Sequence, residues 1–165
     1  MVTKPVRAIV WLDMLDVSRV TRYAETMSTR YRARHLALRT ILFVAASGSV
    51  ATVVTTLPDF WRAVCGIAIA VIVVADYMLD YATKIAALDS AKRECQALES
   101  DWRELWLDVD VPASDDADIR SRNMQLIRRF ERVTVPMDAQ VPVNERVNVR
   151  SAESAYQVAG SQYAP

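Results

Sequence analysis

Residues 40–79 read TILFVAASGSVATVVTTLPDFWRAVCGIAIAVIVVADYML, and this stretch decides the fold. It holds two apolar runs separated by a Leu-Pro-Asp sequence. Residues 40–58 carry no charged side chain, and residues 60–79 carry only Arg62 and Asp76. A helix rises about 1.5 Å per residue, so the first run spans roughly 28 Å, close to the ~30 Å hydrocarbon thickness of a bilayer. We therefore predict a transmembrane helical hairpin over residues 40–79.

The second run is less clean than the first, because its two charges leave only residues 63–75 uncharged. If Arg62 extends to one interface and Asp76 lies at the other, the run crosses the bilayer, with Trp61 as an interfacial anchor. The alternative is a re-entrant or tilted segment. Asp76 is interpreted as the end of the span. A place in an ion pathway is the alternative, because ionisable groups at membrane depth are often functional.

Composition favours an all-α protein with a minor membrane part. The chain has 165 residues and a mean hydropathy of only +0.08, which does not suit a polytopic transporter. Its 20 basic and 20 acidic residues give no net field for nucleic acid or an acidic substrate. Only three glycines occur, which disfavours β-sandwiches, barrels and Gly-rich nucleotide folds.

The first 39 residues are predicted to form an amphipathic cytosolic helix, because apolar residues recur every three or four positions. Basic residues gather where this helix meets the first apolar run. By the positive-inside tendency they hold that end in the cytoplasm, and a hairpin then places both termini there. These border charges are Arg30, Arg32, Arg34, His35 and Arg39, with Arg62 and Asp76 from the second run.

Small and hydroxyl side chains recur at helical spacing in both apolar runs. In lipid, small residues let helix backbones approach closely, and hydroxyls can hydrogen-bond across the contact. The face serves either for packing within the hairpin or between subunits, or for lining a pore. Its residues are Ala45, Ser47, Gly48, Ser49, Thr52, Thr55 and Thr56 in the first run and Gly66 and Ala70 in the second.

Residues 80–110 are predicted to be a coiled-coil-like cytosolic helix. We expect one helix to run without a break from Asp76, at the end of the second apolar run, to about Leu107. Apolar residues recur there with a period of seven, and the N-terminal helix is the simplest partner, which gives a stalk or bundle. Trp102 and Trp106 belong either to this core or to a ligand-stacking site. The predicted seam, for the stalk or an oligomer, is Tyr81, Leu88, Cys95, Leu98, Trp102 and Leu105.

Residues 111–165 are predicted to form a short helix followed by an extended or flexible tail. Beyond Val133, two prolines and the alternation of valines over residues 141–149 indicate a short extended segment that could pair as a strand on a neighbouring chain. Near the end of the short helix lie three arginines that suit either its dipole or an anionic lipid or nucleotide, namely Arg128, Arg129 and Arg132.

No residue cluster indicates catalysis. The chain has no CxxC, GxGxxG, GxxxxGK or HExxH motif, and His35 is its only histidine. We expect no enzyme activity, no cofactor, no metal and no direct nucleic-acid binding. Solvation of a helix surface is sufficient to explain the carboxylates Glu94, Glu99, Asp101 and Glu104.

This arrangement resembles the SLATT family, the two-helix membrane effector domains associated with bacterial nucleotide-signalling and antiphage systems. The likeness covers about residues 6–107. It rests on the amphipathic helix ending in Arg-Tyr-Arg-Ala-Arg at residues 30–34, the tight pair of spans, and the long charged helix from Tyr77 to Leu107. The resemblance implies a homo-oligomer in the bacterial inner membrane that permeabilises the membrane once a sensor protein or a nucleotide second messenger triggers it.

The expected function is therefore a membrane effector that acts in antiphage defence through growth arrest or cell death, with membrane lipid and other copies of itself as partners. One alternative is a membrane anchor or scaffold that recruits a soluble partner enzyme. Another is a small constitutive ion channel.

Overall fold

The structure, a computed structural model, describes residues 2–47, 56–109, 111 and 115–163, and these residues are helical throughout with short connections. No strand occurs among them, so the predicted all-α class is confirmed. The helices are α1 (Lys4–Ala46), α2 (Asp59–Leu79), α3 (Tyr81–Val109), α4 (Asp116–Gln140) and α5 (Glu145–Tyr163).

The helices divide between two compact units. The packed unit comprises Met1–Ser28 and Ala86–Pro165, and the apolar unit comprises Thr29–Ile85. Helices α1 and α3 therefore contribute to both, whereas α2 belongs to the apolar unit and α4 and α5 belong to the packed unit.

The core of the packed unit is built from one apolar stripe on each helix. On α1 and α3 the buried residues recur every three or four positions, the spacing that places them on one helix face. Burying each large aliphatic side chain contributes about 1.5–3 kcal/mol relative to leaving it in water. The stripes include Val6, Val10, Met14, Val17, Val20, Ala24 and Met27 of α1 and Leu88, Ala91, Cys95, Leu98, Trp102 and Leu105 of α3.

Polar contacts between α1 and α3 fix their pairing. The Ser18 hydroxyl donates to Glu99 Oε1 at 2.9 Å, and the Ser28 hydroxyl donates to Asp89 Oδ1 at 2.6 Å. From the first contact to the second, the residue number rises by ten on α1 and falls by ten on α3. The two helix segments are therefore antiparallel within the packed unit.

The C-terminal region is helical, so the predicted extended segment and flexible tail are wrong for the described residues. Helix α4 continues through Pro136 to Gln140, and α5 begins at Glu145. The Asn144 side chain accepts a hydrogen bond from the Val147 backbone N–H at 3.2 Å, which satisfies one of the free donors at the start of α5. The decisive pattern is a stripe of buried residues at intervals of four, Val147, Ser151, Ala155 and Ala159.

The predicted continuous helix from Asp76 to Leu107 is wrong, because the chain breaks at one residue. Asp80 separates α2 from α3 and has left-handed backbone angles, φ 40° and ψ 52°. An aspartate tolerates this region better than most residues because its short polar side chain can hydrogen-bond locally. Here Asp80 Oδ1 accepts a hydrogen bond from the Thr83 hydroxyl at 2.9 Å.

Candidate membrane-border site

Helix α2 presents an apolar surface that nothing in the described chain covers. Among the described residues, one helix lying within Asp59–Val109 is long and apolar enough to cross a membrane by length and composition, and its most apolar stretch is unburied. A contiguous apolar surface of this kind is unfavourable in water. Its exposed large side chains are Phe60, Trp61, Val64, Ile67, Val71, Val73, Val74, Tyr77, Met78 and Leu79.

Three aromatic rings join α1 to the beginning of α3 inside the apolar unit. We call Tyr31, His35 and Tyr81 the border cluster. The Tyr81 ring centroid lies 5.7 Å from that of Tyr31 and 6.2 Å from that of His35, and both tyrosines are buried. Aromatic pairs at these separations contribute about 0.5–1.5 kcal/mol each beyond their burial. The cluster therefore brings the α1 residues that precede the first apolar run next to the residue that follows α2 and Asp80.

The predicted border charges have different surroundings. Arg30, Arg32, Arg34 and Arg39 are exposed on α1, and His35 is half-buried within the border cluster. At the other end of α2, Arg62 Nε donates to the Leu57 carbonyl at 2.8 Å, and Arg62 Nη1 lies 3.4 Å from Asp59 Oδ1. Asp76 is half-buried. Arg62 and Asp76 are fourteen positions apart, roughly 21 Å along the helix.

The predicted small-residue face is described only in part. Gly48, Ser49, Thr52 and Thr55 lie outside the described residues. Of the remainder in the first run, Ala45 and Ser47 are half-buried and Thr56 is exposed, and the Ser47 hydroxyl donates to the Val44 carbonyl at 2.6 Å.

On α2, Gly66 and Ala70 are exposed, one helical turn apart. A methyl group added at Gly66 would meet no described atom within 4 Å. This part of the small-residue face is therefore open within the described chain.

All six residues of the predicted seam are buried. Tyr81 belongs to the border cluster, and the other five lie in the packed unit, inside the chain's own core. Trp102 is fully buried and its Nε1 donates to Asn123 Oδ1 at 2.8 Å, which is the behaviour of a core residue. Trp106 is buried beside Trp11, with ring centroids 5.4 Å apart.

The seam prediction missed a polar chain that crosses the packed unit. Asn123 on α4 accepts from Trp102 on α3, and its Nδ2 donates to Asp13 Oδ2 on α1 at 2.6 Å. Burial raises the pKa of Asp13, with a further contribution from nearby Asp16, although the hydrogen bond from Asn123 opposes the rise. A buried asparagine has no periodic signature of its own, so only the packing of three helices identifies it.

Two further groups have shifted pKa values. Burial, followed by the charges of Glu94, Glu99 and Asp16, raises the pKa of Cys95 to about 12, so this thiol stays protonated and unreactive at neutral pH. Near the start of the chain, the Thr3 hydroxyl and backbone N–H both donate to Asp116, at 2.6 and 2.8 Å, and lower its pKa. Neither group has the surroundings of a catalytic acid or nucleophile.

The described part of the chain contains no group of three or more His, Cys, Asp or Glu side chains placed to hold a metal ion. Comparison of the chain with protein-family models, with curated proteins and with solved structures found no match. The resemblance to the SLATT family therefore stays a prediction.

Proposed function

We propose that this protein inserts into the bacterial inner membrane, associates with copies of itself there, and permeabilises the membrane when triggered, in the manner of an antiphage effector. The observation that carries the proposal is the uncovered apolar surface of α2, which includes the open Gly66 and Ala70 face. Hydrocarbon is the medium that such a surface favours, and a second helix is the partner that a small-residue face favours.

The border cluster supports a hairpin with both termini in the cytoplasm. Tyr81 contacts Tyr31 and His35, so the start of the first apolar run and the end of the second are close together. The arginines on α1 then mark this border as the cytoplasmic one. In this proposal the apolar run over residues 40–58 also crosses the membrane, as the partner of α2 in the hairpin.

The packed unit is the proposed control element. Helices α1 and α3 have residues in both units, so a rearrangement of their packing would reach the membrane segments along the chain. A sensor protein or a nucleotide second messenger acting on the packed unit is the proposed trigger. To shift the equilibrium, such a trigger must bind one arrangement of these helices more tightly than the other.

The proposal is tested with a glycine-to-leucine substitution on α2. Overexpression of the wild-type protein, which raises the population of oligomers by mass action without the trigger, should depolarise bacterial membranes. Gly66→Leu should suppress this depolarisation and lower the oligomer mass in detergent. Insertion, measured by resistance to carbonate extraction, should be unchanged, because leucine is apolar and no described atom lies within 4 Å of a Cβ added at Gly66.

Gly160→Leu is the matched control. Gly160 lies in α5 of the packed unit and also has no described atom within 4 Å of an added Cβ. This variant should depolarise membranes as the wild type does. An intact membrane potential on expression of the wild type, or equal depolarisation by wild type and Gly66→Leu, would refute the proposed role of this face.

A scaffold that recruits a soluble partner is the second candidate, because the packed unit has apolar side chains at its surface. Ile9 and Leu12 of α1 and Leu107 of α3 are exposed, and Trp11 of α1 is half-buried. Replacing Leu12 and Leu107 by glutamate should abolish recruitment of a partner and leave the membrane intact if this candidate is correct.

A further inference from the structure

Residues 30–39 of α1 form a concentrated positive surface. They include four arginines and no carboxylate, and all four arginines are exposed. Three of them, Arg30, Arg34 and Arg39, make no ion pair or hydrogen bond with any described residue. We call Arg30, Arg32, Arg34 and Arg39 the arginine belt.

The acidic residues of the apolar unit do not neutralise these three arginines. The unit's only acids are Asp59, Asp76 and Asp80. Asp59 lies beside Arg62, and neither Asp76 nor Asp80 makes an ion pair with any described residue. Most of the belt's charge is therefore unbalanced within the described part of its own unit, and an external anion is the group that would balance it.

The belt flanks the helix face that carries the border cluster. At about 100° per residue, Tyr31 and His35 lie within about 40° of each other on the face that packs against Tyr81. On the same count, Arg30 and Arg34 lie to one side of that face, and Arg32 and Arg39 lie to the other. The guanidinium groups are thus distributed around the part of the helix that Tyr81 leaves uncovered.

The belt also lies at the beginning of an apolar helical surface. From Arg30 to Arg39 the helix rises about 14 Å. Ile41 and Phe43 are exposed by 50% and 79%, so exposed apolar side chains follow the last arginine of the belt. Cationic groups directly before a bare apolar helix match the order of headgroup and hydrocarbon in a bilayer leaflet.

We propose that the arginine belt is a binding site for anionic phospholipid headgroups. This inference rests on the membrane insertion proposed above. A guanidinium binds a phosphate through two parallel N–H···O bonds, and the phosphate of an anionic lipid keeps a net negative charge. In a zwitterionic lipid the headgroup cation offsets that charge. The belt therefore selects phosphatidylglycerol-type lipids over phosphatidylcholine.

The test is a lipid titration of the full-length protein in an uncharged detergent, read by native mass spectrometry. Phosphatidylglycerol and phosphatidylcholine with the same acyl chains are added separately. Wild-type protein should bind phosphatidylglycerol at least about tenfold more tightly. Arg30→Gln, Arg34→Gln and Arg39→Gln together should abolish this preference for phosphatidylglycerol, because the guanidinium donors to the phosphate are then lost.

The control removes the same charge from the packed unit. Arg120, Arg146 and Arg150 are exposed and make no ion pair with any described residue, so their triple glutamine variant matches the belt variant in composition. It should retain wild-type lipid selectivity. An equal loss in both triple variants would overturn the proposal, because net charge alone would then account for the binding.

Two further measurements distinguish a lipid headgroup site from a general anion site, and lipid binding from the effector function. Displacement of phosphatidylglycerol by millimolar inorganic phosphate would overturn the lipid assignment in favour of a general anion site. Loss of lipid selectivity in a belt variant that still depolarises membranes supports the belt and leaves the proposed function standing. Selective lipid binding by a wild-type protein that never depolarises membranes supports the belt while removing the effector function.

Discussion

Replacing Asn123 by alanine should destabilise the packed unit more than the size of the side chain suggests. Asn123 is 4% exposed and joins three helices, because it accepts from Trp102 Nε1 at 2.8 Å and donates to Asp13 Oδ2 at 2.6 Å. In the variant, the indole N–H of Trp102 stays fully buried without an acceptor. An unsatisfied buried donor costs about 1–3 kcal/mol.

The total loss is expected to be about 2–3 kcal/mol. The hydrogen bond to Asp13 adds less than the indole does, since Asp13 is only half-buried and water can replace its lost donor. For a chain of this size, that loss corresponds to a fall in melting temperature of about 4–12 °C. Far-UV circular dichroism of the full-length protein in mild detergent measures the transition, and urea titration gives the free energy of unfolding.

A double-mutant cycle separates the hydrogen bond from the packing. Asn123→Leu leaves the indole N–H unsatisfied, and Trp102→Phe leaves the Asn123 oxygen without its donor. The double variant removes both groups, so its loss should be smaller than the sum of the single losses by at least about 1 kcal/mol.

Asn148→Ala is the control for the cycle. Asn148 is half-buried and its Oδ1 accepts a hydrogen bond from Arg19 Nη1, so the variant should lose under about 1 kcal/mol of unfolding free energy. The reasoning fails if Asn123→Ala unfolds within about 0.5 kcal/mol of the wild type or if the double-mutant losses simply add.

Three other substitutions test the fold and its ionisation. Leu88→Ala should cost about 2–5 kcal/mol of unfolding free energy by urea titration because Leu88 is fully buried, whereas the exposed Val73→Ala should leave the same transition in place. Burial raises the pKa of Asp13 in the folded state, so the wild type should lose stability as pH rises from the unfolded value of about 3.8 through the folded pKa. Asp13→Asn should remove that loss, and a stability difference between the two proteins that is constant from pH 4 to pH 7 would contradict it. Asp80→Gly should raise the unfolding free energy by up to about 1 kcal/mol, since glycine adopts the left-handed angles of Asp80 without strain, and a marked loss of stability would show that the Thr83 contact dominates.

The C-terminal region is where the local sequence pattern misleads. Valines alternate with polar residues over 141–149, which is the strand pattern, but Val141 and Val147 are buried while Val143 and Val149 are exposed. The helical stripe of Val147, Ser151, Ala155 and Ala159 includes a serine and two small residues. A hydrophobicity pattern does not predict that a serine and small residues are buried, although close packing against neighbouring helices buries them.

The sequence by itself determined the all-α class, the apolar surface of α2 and the buried stripes of α1 and α3. These features depend on local periodicity, because residues three or four positions apart lie on the same face of a helix. Three features depended on the tertiary structure: the left-handed break at Asp80, the polar chain from Asp13 through Asn123 to Trp102, and the border cluster around Tyr81. Each of them joins residues far apart in the chain or sets a single backbone angle. Burial and contact between helices decide such features, and neither is a property of a local pattern.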